Sequence, residues 1–230
     1  MVVKRLGKSC VVLLSKPAIP GRVKTRLIGS LSAEQTAALH RAFVRDVVIE
    51  LRRGPFDLTL AWAVLTLDDG AEVASIDLEE TRGLEAFHQQ GDGLGERLHH
   101  ALAHLAERYE QVAAIGSDHP ELSFETVADA FRSLEAGDEV VLGPSEDGGY
   151  YLIAARREAL TPELFAGVPW STGAVFASTV ERCERLGLRW SQLPMGTDVD
   201  LPEDFERLRD RLARGEVDCR QTQALIDSWS

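Results

Sequence analysis

Residues 111–122 (QVAAIGSDHPEL) restrict the possible folds more than any other stretch. Val112, Ala113, Ala114 and Ile115 form an unbroken apolar run, the pattern of a strand buried on both faces of a parallel sheet. Gly116 ends the run, Asp118 follows at once, and Pro120 prevents the ladder from continuing. A carboxylate is thereby delivered to the carboxyl end of a central strand, which is where open α/β sheets receive their ligands. The alternative is that Asp118 merely caps the helix expected from about Ser123.

A chain of 230 residues accommodates one large α/β domain or two small ones. Its formal charge of −12 argues against a nucleic-acid partner, because such binding depends on neutralising phosphates with Lys and Arg. No apolar run approaches the roughly 20 residues that span a bilayer. The start, MVVKRLGKSCVVLLS, has the basic residues of a signal peptide in Lys4, Arg5 and Lys8. Its apolar core is too short, and Lys16 and Pro17 stand where small residues should mark cleavage. Cys10, Cys183 and Cys219 are odd in number and widely spaced, so they read as reduced thiols of a cytoplasmic protein.

Residues 10–15 (CVVLLS) read as the first buried strand. The following KPAIPGRVKTRLIGSL contains Pro17, Pro20 and Gly21 and is a loop, with Arg22, Lys24 and Arg26 alternating along it. Between a strand and a helix, such a loop is placed to cradle phosphate; a solvated basic loop is the competing reading. Neither a Walker sequence nor GxGxxG is present. Ser32 with Gln35 forms a capping box for a helix that buries Leu39, Phe43, Val47 and Leu51 and ends near Arg52, Arg53 and Gly54. Residues 57–64 read as a strand, 68–75 as a short helix and 84–88 as a strand.

Gly91, Gly93 and Gly95 make a flexible turn, and a helix runs over about 94–109, buried through Leu98, Leu102 and Leu105. His100 and His104 lie one helical turn apart, but no third ligand flanks them, and they are read as packing or solvated residues. A helix over 124–136 follows the Asp118 loop. Strands at 139–143 and 150–154 flank PSEDGG, in which Asp147, Gly148 and Gly149 make either a tight hairpin or a connection with room for a ligand. Trp170, Ser171 and Thr172 precede a helix over about 173–186, and 188–193 reads as a strand. Asp198 and Asp200 then sit in a loop, Pro202 opens a helix, and a last helix spans about 221–229. The order is that of a single three-layer α/β/α domain with a mostly parallel central sheet and a C-terminal helical segment over 202–230.

The segments KPAIPGRVKTRL, GDGLGERL, IGSDHPEL, GPSEDGGYYLI, WST and DVDLPEDF together resemble the GT-A-fold superfamily of nucleotide-diphosphosugar transferases. Within it, the chain looks like the bacterial glycosyltransferase group of the arsenosugar-biosynthesis type, and it is more distantly similar to phospholactate guanylyltransferase. The resemblance implies a Mg²⁺ or Mn²⁺ ion held through a nucleotide's phosphates by Asp118. A second ligand would come from a late segment like D-x-D-T-P-E-D-L, where Asp200 matches the carboxylate before the Pro, Asp198 is the alternative, and Leu201 replaces the usual Thr.

Lys16, Gly21, Arg22, Lys24, Arg26 and Ser117 would bind nucleotide and phosphate, with Lys24 and Arg26 balancing the charge of the leaving group. Asp147 would accept sugar hydroxyls or act as a general base. Gly148, Gly149, Tyr150, Trp170 and Thr172 would face the acceptor. Trp170 either stacks on substrate or packs structurally. His119, where the family often has a small residue, either contacts substrate or is a loop residue with an exposed ring. The expected activity is metal-dependent transfer from a nucleotide-diphosphosugar to a small acceptor. A nucleotidyltransferase releasing pyrophosphate is the alternative, and an inactive nucleotide-binding module is the third.

Overall fold

The computed structural model describes residues 7–229, so Lys4 and Arg5 of the basic start lie outside it. The apolar run 112–115 sits within strand β6 (Tyr109–Gly116), and all four of its residues are buried. β6 pairs in parallel with β1 (Gly7–Ser15), β1 with β2 (Asp57–Trp62), and β2 with β5 (Glu85–His88). On its other side β6 pairs antiparallel with β8 (Tyr150–Arg156). β8 pairs antiparallel with β7 (Val140–Pro144), and β7 carries β9 (Trp190–Gln192) in parallel. Only β8 runs against the rest of this seven-stranded sheet, whose order is β5-β2-β1-β6-β8-β7-β9. The first strands are therefore as mostly parallel as their apolar sequences imply, while β6 itself borders one antiparallel neighbour.

Side chains alternate across the sheet with the period of two that a strand imposes. Val11, Leu13, Ala113 and Ile115 pack on one face with helices α1 (Ala33–Leu51) and α3 (Phe124–Ala136). Cys10, Val12, Val112 and Ala114 pack on the other with α2 (Leu94–Ala106), α4 (Pro162–Phe165) and α5 (Val175–Arg185). Each fully buried Leu or Phe contributes about 1.5–3 kcal/mol over exposure. α1 shows the expected capping box, with Ser32 N donating to Gln35 Oε1 at 2.8 Å and Gln35 N to Ser32 Oγ at 3.2 Å. Its stripe of Leu39, Phe43, Val47 and Leu51 is fully buried.

A third apolar cluster lies beside the sheet. Leu27 from the basic loop, Leu39 and Phe43 of α1, and Val199 pack there with residues of α6 (Pro202–Ala213) and α7 (Arg220–Asp227). α7 has no side-chain cap from its own N-cap residue, Cys219. Asp46 of α1 supplies one instead, accepting from Gln221 N at 2.8 Å, Thr222 N at 2.9 Å and Thr222 Oγ1 at 2.7 Å.

Residues 68–75 are not helical. β3 (Leu65–Thr66) and β4 (Glu72–Val73) form a small hairpin there. Gly70 takes the left-handed conformation, Leu67 N donates to Ala71 O at 2.8 Å, and the Asp69 carboxylate accepts from Ala71 N at 3.0 Å. Turn chemistry at Asp69-Gly70 therefore outweighs a weak helical pattern. α2 stops at Ala106 because Tyr109 is already paired with Gly7 in the sheet. β2 ends at Trp62, α5 starts at Val175 after the left-handed Ser171, and β9 covers three residues. The short α4, opened by Pro162, has no counterpart in the sequence reading.

Candidate active site

The loops after β1, β6, β7 and β9 all leave the same edge of the sheet, because these four strands run in one direction. They enclose a cleft of about 860 Å³. Lys16, Arg22, Lys24, Arg26, Ser117, Asp118, His119, Asp147, Gly149, Tyr150, Trp170, Thr172, Asp198 and Asp200 line it. Gly21 and Gly148 do not.

Buried Val23 and Leu27 pin the basic loop to the body of the protein. Lys24, between them, adopts φ 48° and ψ 38° and turns its side chain inward until only 2% is exposed. Its ammonium pairs with Asp118 Oδ1, donates to Val199 O at 2.7 Å and lies 3.4 Å from Asp200 Oδ1. Arg26 remains 70% exposed, 3.9 Å from Asp200 Oδ2. Arg22 turns to Asp68 in the turn of the β3–β4 hairpin. The three alternating cations thus share a cleft and point in different directions.

The protein packed around the half-exposed Asp118 disfavours its charged form, but Lys24, by its charge and its hydrogen bond, holds the carboxyl below its ordinary value. Asp198 goes the other way. Burial, followed by the carboxylates of Asp118, Asp200 and Asp147, pushes it up to about 7. Asp118 and Asp200 share the Lys24 ammonium, and Asp198 lines the same cleft close to both. A pair of carboxylates converging on one positive charge is a hard-oxygen set suited to Mg²⁺ or Mn²⁺. Among the described residues no group of three or more His, Cys, Asp or Glu is arranged to hold a metal. An ion bound here would complete its shell with phosphate oxygens and water.

His119 does not present an exposed ring. Its side chain is 14% exposed, stacked on Tyr151 at 4.9 Å between centroids, and Nδ1 donates to Thr197 O at 2.8 Å. Burial pushes its imidazole below the ordinary value. Tyr150 contributes a ring rather than a phenol to the cleft, since its hydroxyl oxygen is buried. Trp170 stands edge-on to Tyr150 at 6.3 Å and stacks with Phe165 at 6.5 Å. Its indole also occupies the space that a side chain on Gly95 would need. Trp170 thus packs structurally and lines the cleft at once.

The PSEDGG segment is a tight hairpin, closed by Ser145 N donating to Gly149 O at 3.1 Å. Asp147 Oδ1 accepts from Ser145 Oγ at 2.7 Å and from Gly149 N at 2.9 Å, which leaves Oδ2 for a ligand. The space beside Gly148 is filled by protein. A β-carbon there would stand 2.7 Å from the carbonyl carbon of Gly173 and 2.8 Å from its Cα. This close approach fastens the Trp170–Gly173 corner to the hairpin.

Several lining residues carry no motif. His40 of α1 is buried, with Nε2 3.0 Å from Lys16 O and 3.2 Å from Ser15 Oγ. Ser15 Oγ in turn reaches Ser117 Oγ at 3.3 Å. Gln89 Nε2 donates to Ser15 O at 3.1 Å and to Ala61 O at 2.8 Å. Thr36, His40 and Asp46 are the polar residues on the buried side of α1, and they are the signal the sequence offers there. His100 and His104 stack on each other and meet Phe87 edge-on and tilted, outside the cleft lining.

A family model described as uncharacterized protein conserved in bacteria (DUF2064) matches residues 54–172. The chain belongs to this family. A crystal structure from Desulfovibrio desulfuricans G20, carrying the provisional designation nucleotide-diphospho-sugar transferase, is 32% identical, with a TM-score of 0.81 over 96% of this chain and 94% of that one. A cytidylyltransferase from Leptospira borgpetersenii is 12% identical, with a TM-score of 0.60 over 96% and 93% of the two chains. A Mycobacterium tuberculosis H37Rv protein solved with manganese is 16% identical, with a TM-score of 0.50 over 89% and 99%. The last two share the fold. No curated protein matches the chain. Among the described residues, no helix is long and apolar enough to cross a membrane.

Proposed function

We propose that the protein is a divalent-metal-dependent glycosyltransferase that moves a sugar from a nucleotide-diphosphosugar to a small-molecule acceptor. The observation that carries this reading is the convergence of Lys24, Asp118 and Asp200 on one point, inside a cleft at the carboxyl edge of the sheet. Asp118 and Asp200 would hold Mg²⁺ or Mn²⁺, which when bound supplies Lewis-acid stabilisation of the departing diphosphate. Lys16, Arg22, Lys24 and Arg26 offset the remaining phosphate charge, and Ser117 hydrogen-bonds at the same strand end. The free Oδ2 of Asp147 accepts a hydrogen bond from a sugar or acceptor hydroxyl and orients it, while the Trp170 and Tyr150 rings bound the space. The markers shared with the arsenosugar-type group support the same reaction class. Three free, buried cysteines fit a cytoplasmic setting.

The test is release of nucleoside diphosphate from a panel of nucleotide sugars, with and without Mn²⁺. Asp118→Ala is expected to lower the metal-dependent rate at least a hundredfold. Unchanged metal-dependent donor binding in that variant overturns the assignment. The four cations of the first loop favour one second reading, nucleotidyl transfer from a triphosphate; release of pyrophosphate from an NTP in place of diphosphate from a nucleotide sugar would select it.

A further inference from the structure

A lysine buried to 2% exposure is uncommon, because a desolvated ammonium is costly unless it is paired and hydrogen-bonded. Lys24 is surrounded by oxygens from two loops: Asp118 Oδ1, Val199 O at 2.7 Å and Asp200 Oδ1 at 3.4 Å. The Phe43 ring lies below it at 5.3 Å and adds a cation–π contact. The two loops are fixed to each other by Val199 N donating to Asp118 O at 2.9 Å. Three oxygens on a rigid pair of loops, converging on one positive charge, describe a cation site whose cation is part of the chain.

The backbone is committed to this arrangement. Lys24 and Ser171 are the non-glycine residues with positive φ among the described residues, and a straight-chain side chain has no local preference for that conformation. Such a residue persists where its surroundings over-determine it. Here Leu27 N donates to Lys24 O at 3.0 Å, and Val23 and Leu27 are buried on either side.

We infer, resting on the function proposed above, that Lys24 is the resident cation of the free protein, and that a divalent ion gains Asp118 and Asp200 when phosphate draws the Lys24 ammonium away. The ammonium and a divalent ion repel each other and need the same carboxylate oxygens, so they compete for one place. A phosphate group is a strong alternative partner for an ammonium, with several oxygens and more charge than the half-exposed Asp118. Phosphate and metal binding are consequently coupled, and the coupling acts equally in both directions.

Mn²⁺ binding to the otherwise ligand-free protein, read from the electron paramagnetic resonance of the free ion, tests this. Lys24→Met keeps the length of the stem and removes the charge. It is expected to tighten Mn²⁺ binding at least tenfold over wild type, and Lys24→Gln to do the same if the Met variant fails to fold. Unchanged or weaker Mn²⁺ affinity in the folded variant overturns the inference. So does retention of the gained affinity in Lys24→Met/Asp118→Asn, which would place the ion elsewhere. A wild-type measurement needs no variant: metal-free inorganic pyrophosphate should shift the ¹³Cε resonance of Lys24, and no shift at saturation overturns the inference. If Lys24→Met gains Mn²⁺ affinity and pyrophosphate shifts Lys24 while no nucleotide sugar is turned over, the glycosyltransferase reading fails and the resident cation stands.

Discussion

Two glycines separate the cost of an unusual backbone from the cost of a close approach. Gly148 and Gly187 have φ of +85° and +70°, so an alanine at either is strained. At Gly187, in the turn after α5, a β-carbon meets nothing within 4 Å. The left-handed conformation costs about 1–2 kcal/mol there, and the restricted unfolded chain returns about 0.4–1 kcal/mol. Gly187→Ala should thus lose about 1 kcal/mol. Gly148→Ala carries the same terms and also drives a methyl group into the Gly173 backbone, an overpacking cost of about 1–3 kcal/mol. Its total should reach about 2–4 kcal/mol. Urea titration of the two variants beside wild type measures the difference, and for a domain of this size each kcal/mol lowers Tm by about 2–4 °C. The excess in Gly148→Ala should also appear at the site, since relieving the overlap displaces the corner that carries Trp170 and Thr172. Equal losses in the two variants would refute the claim that the hairpin and this corner are locked together.

Asp46→Ala removes the through-space cap of α7, and it should cost about 1–3 kcal/mol and raise amide exchange first in residues 220–227. Burial holds His40 below its ordinary imidazole value, against the opposing pull of Asp118 and its bond to Lys16 O. The unfolded chain therefore binds the extra proton first, so this contribution to stability is full above about pH 6.5 and is lost as pH falls through the lower folded value. In urea titrations across that window His40→Gln should lose less stability than wild type; parallel profiles would contradict it. Asp200→Asn should weaken Mn²⁺ binding in the presence of nucleotide more than tenfold and more than Asp198→Asn does, as calorimetry with a nonreactive donor analogue would show.

The fold was legible where one physical signal dominated. The apolar run 112–115 could only be a central strand, and the Ser32 capping box fixed the start of α1 to the residue. The Asp69-Gly70 hairpin was missed because its strands are two residues each, too short for a period to register. At the site, the chain's motifs contain most residues that line the cleft, since all of them but the Trp170–Thr172 segment follow a strand that ends on one edge. Direction was another matter. Nothing in the alternation of Arg22, Lys24 and Arg26 says that one turns inward, one to Asp68 and one to solvent. That division depends on Val23 and Leu27 finding a core, which is a tertiary event. The exposed ring expected at His119 failed for the same reason: its burial depends on Tyr151, which lies in β8. The ligand space expected beside Gly148 is absent, because the Gly173 backbone occupies it.

The third apolar cluster makes the far end of the chain a foundation for the cleft. Phe43 supports the Lys24 ammonium from below, and Leu27 and Val199 flank the loops that meet it; all three rest on Phe205, Leu208, Leu212 and Ile226. The terminal helices contribute no side chain to the lining, yet they decide how firmly the floor is held. A load applied through the last helix, as by a taut tether to a surface, would be borne by that foundation. Its mechanical strain would reach the carboxylates through a few layers of packed side chains, so a handle for immobilising the protein belongs elsewhere on its surface.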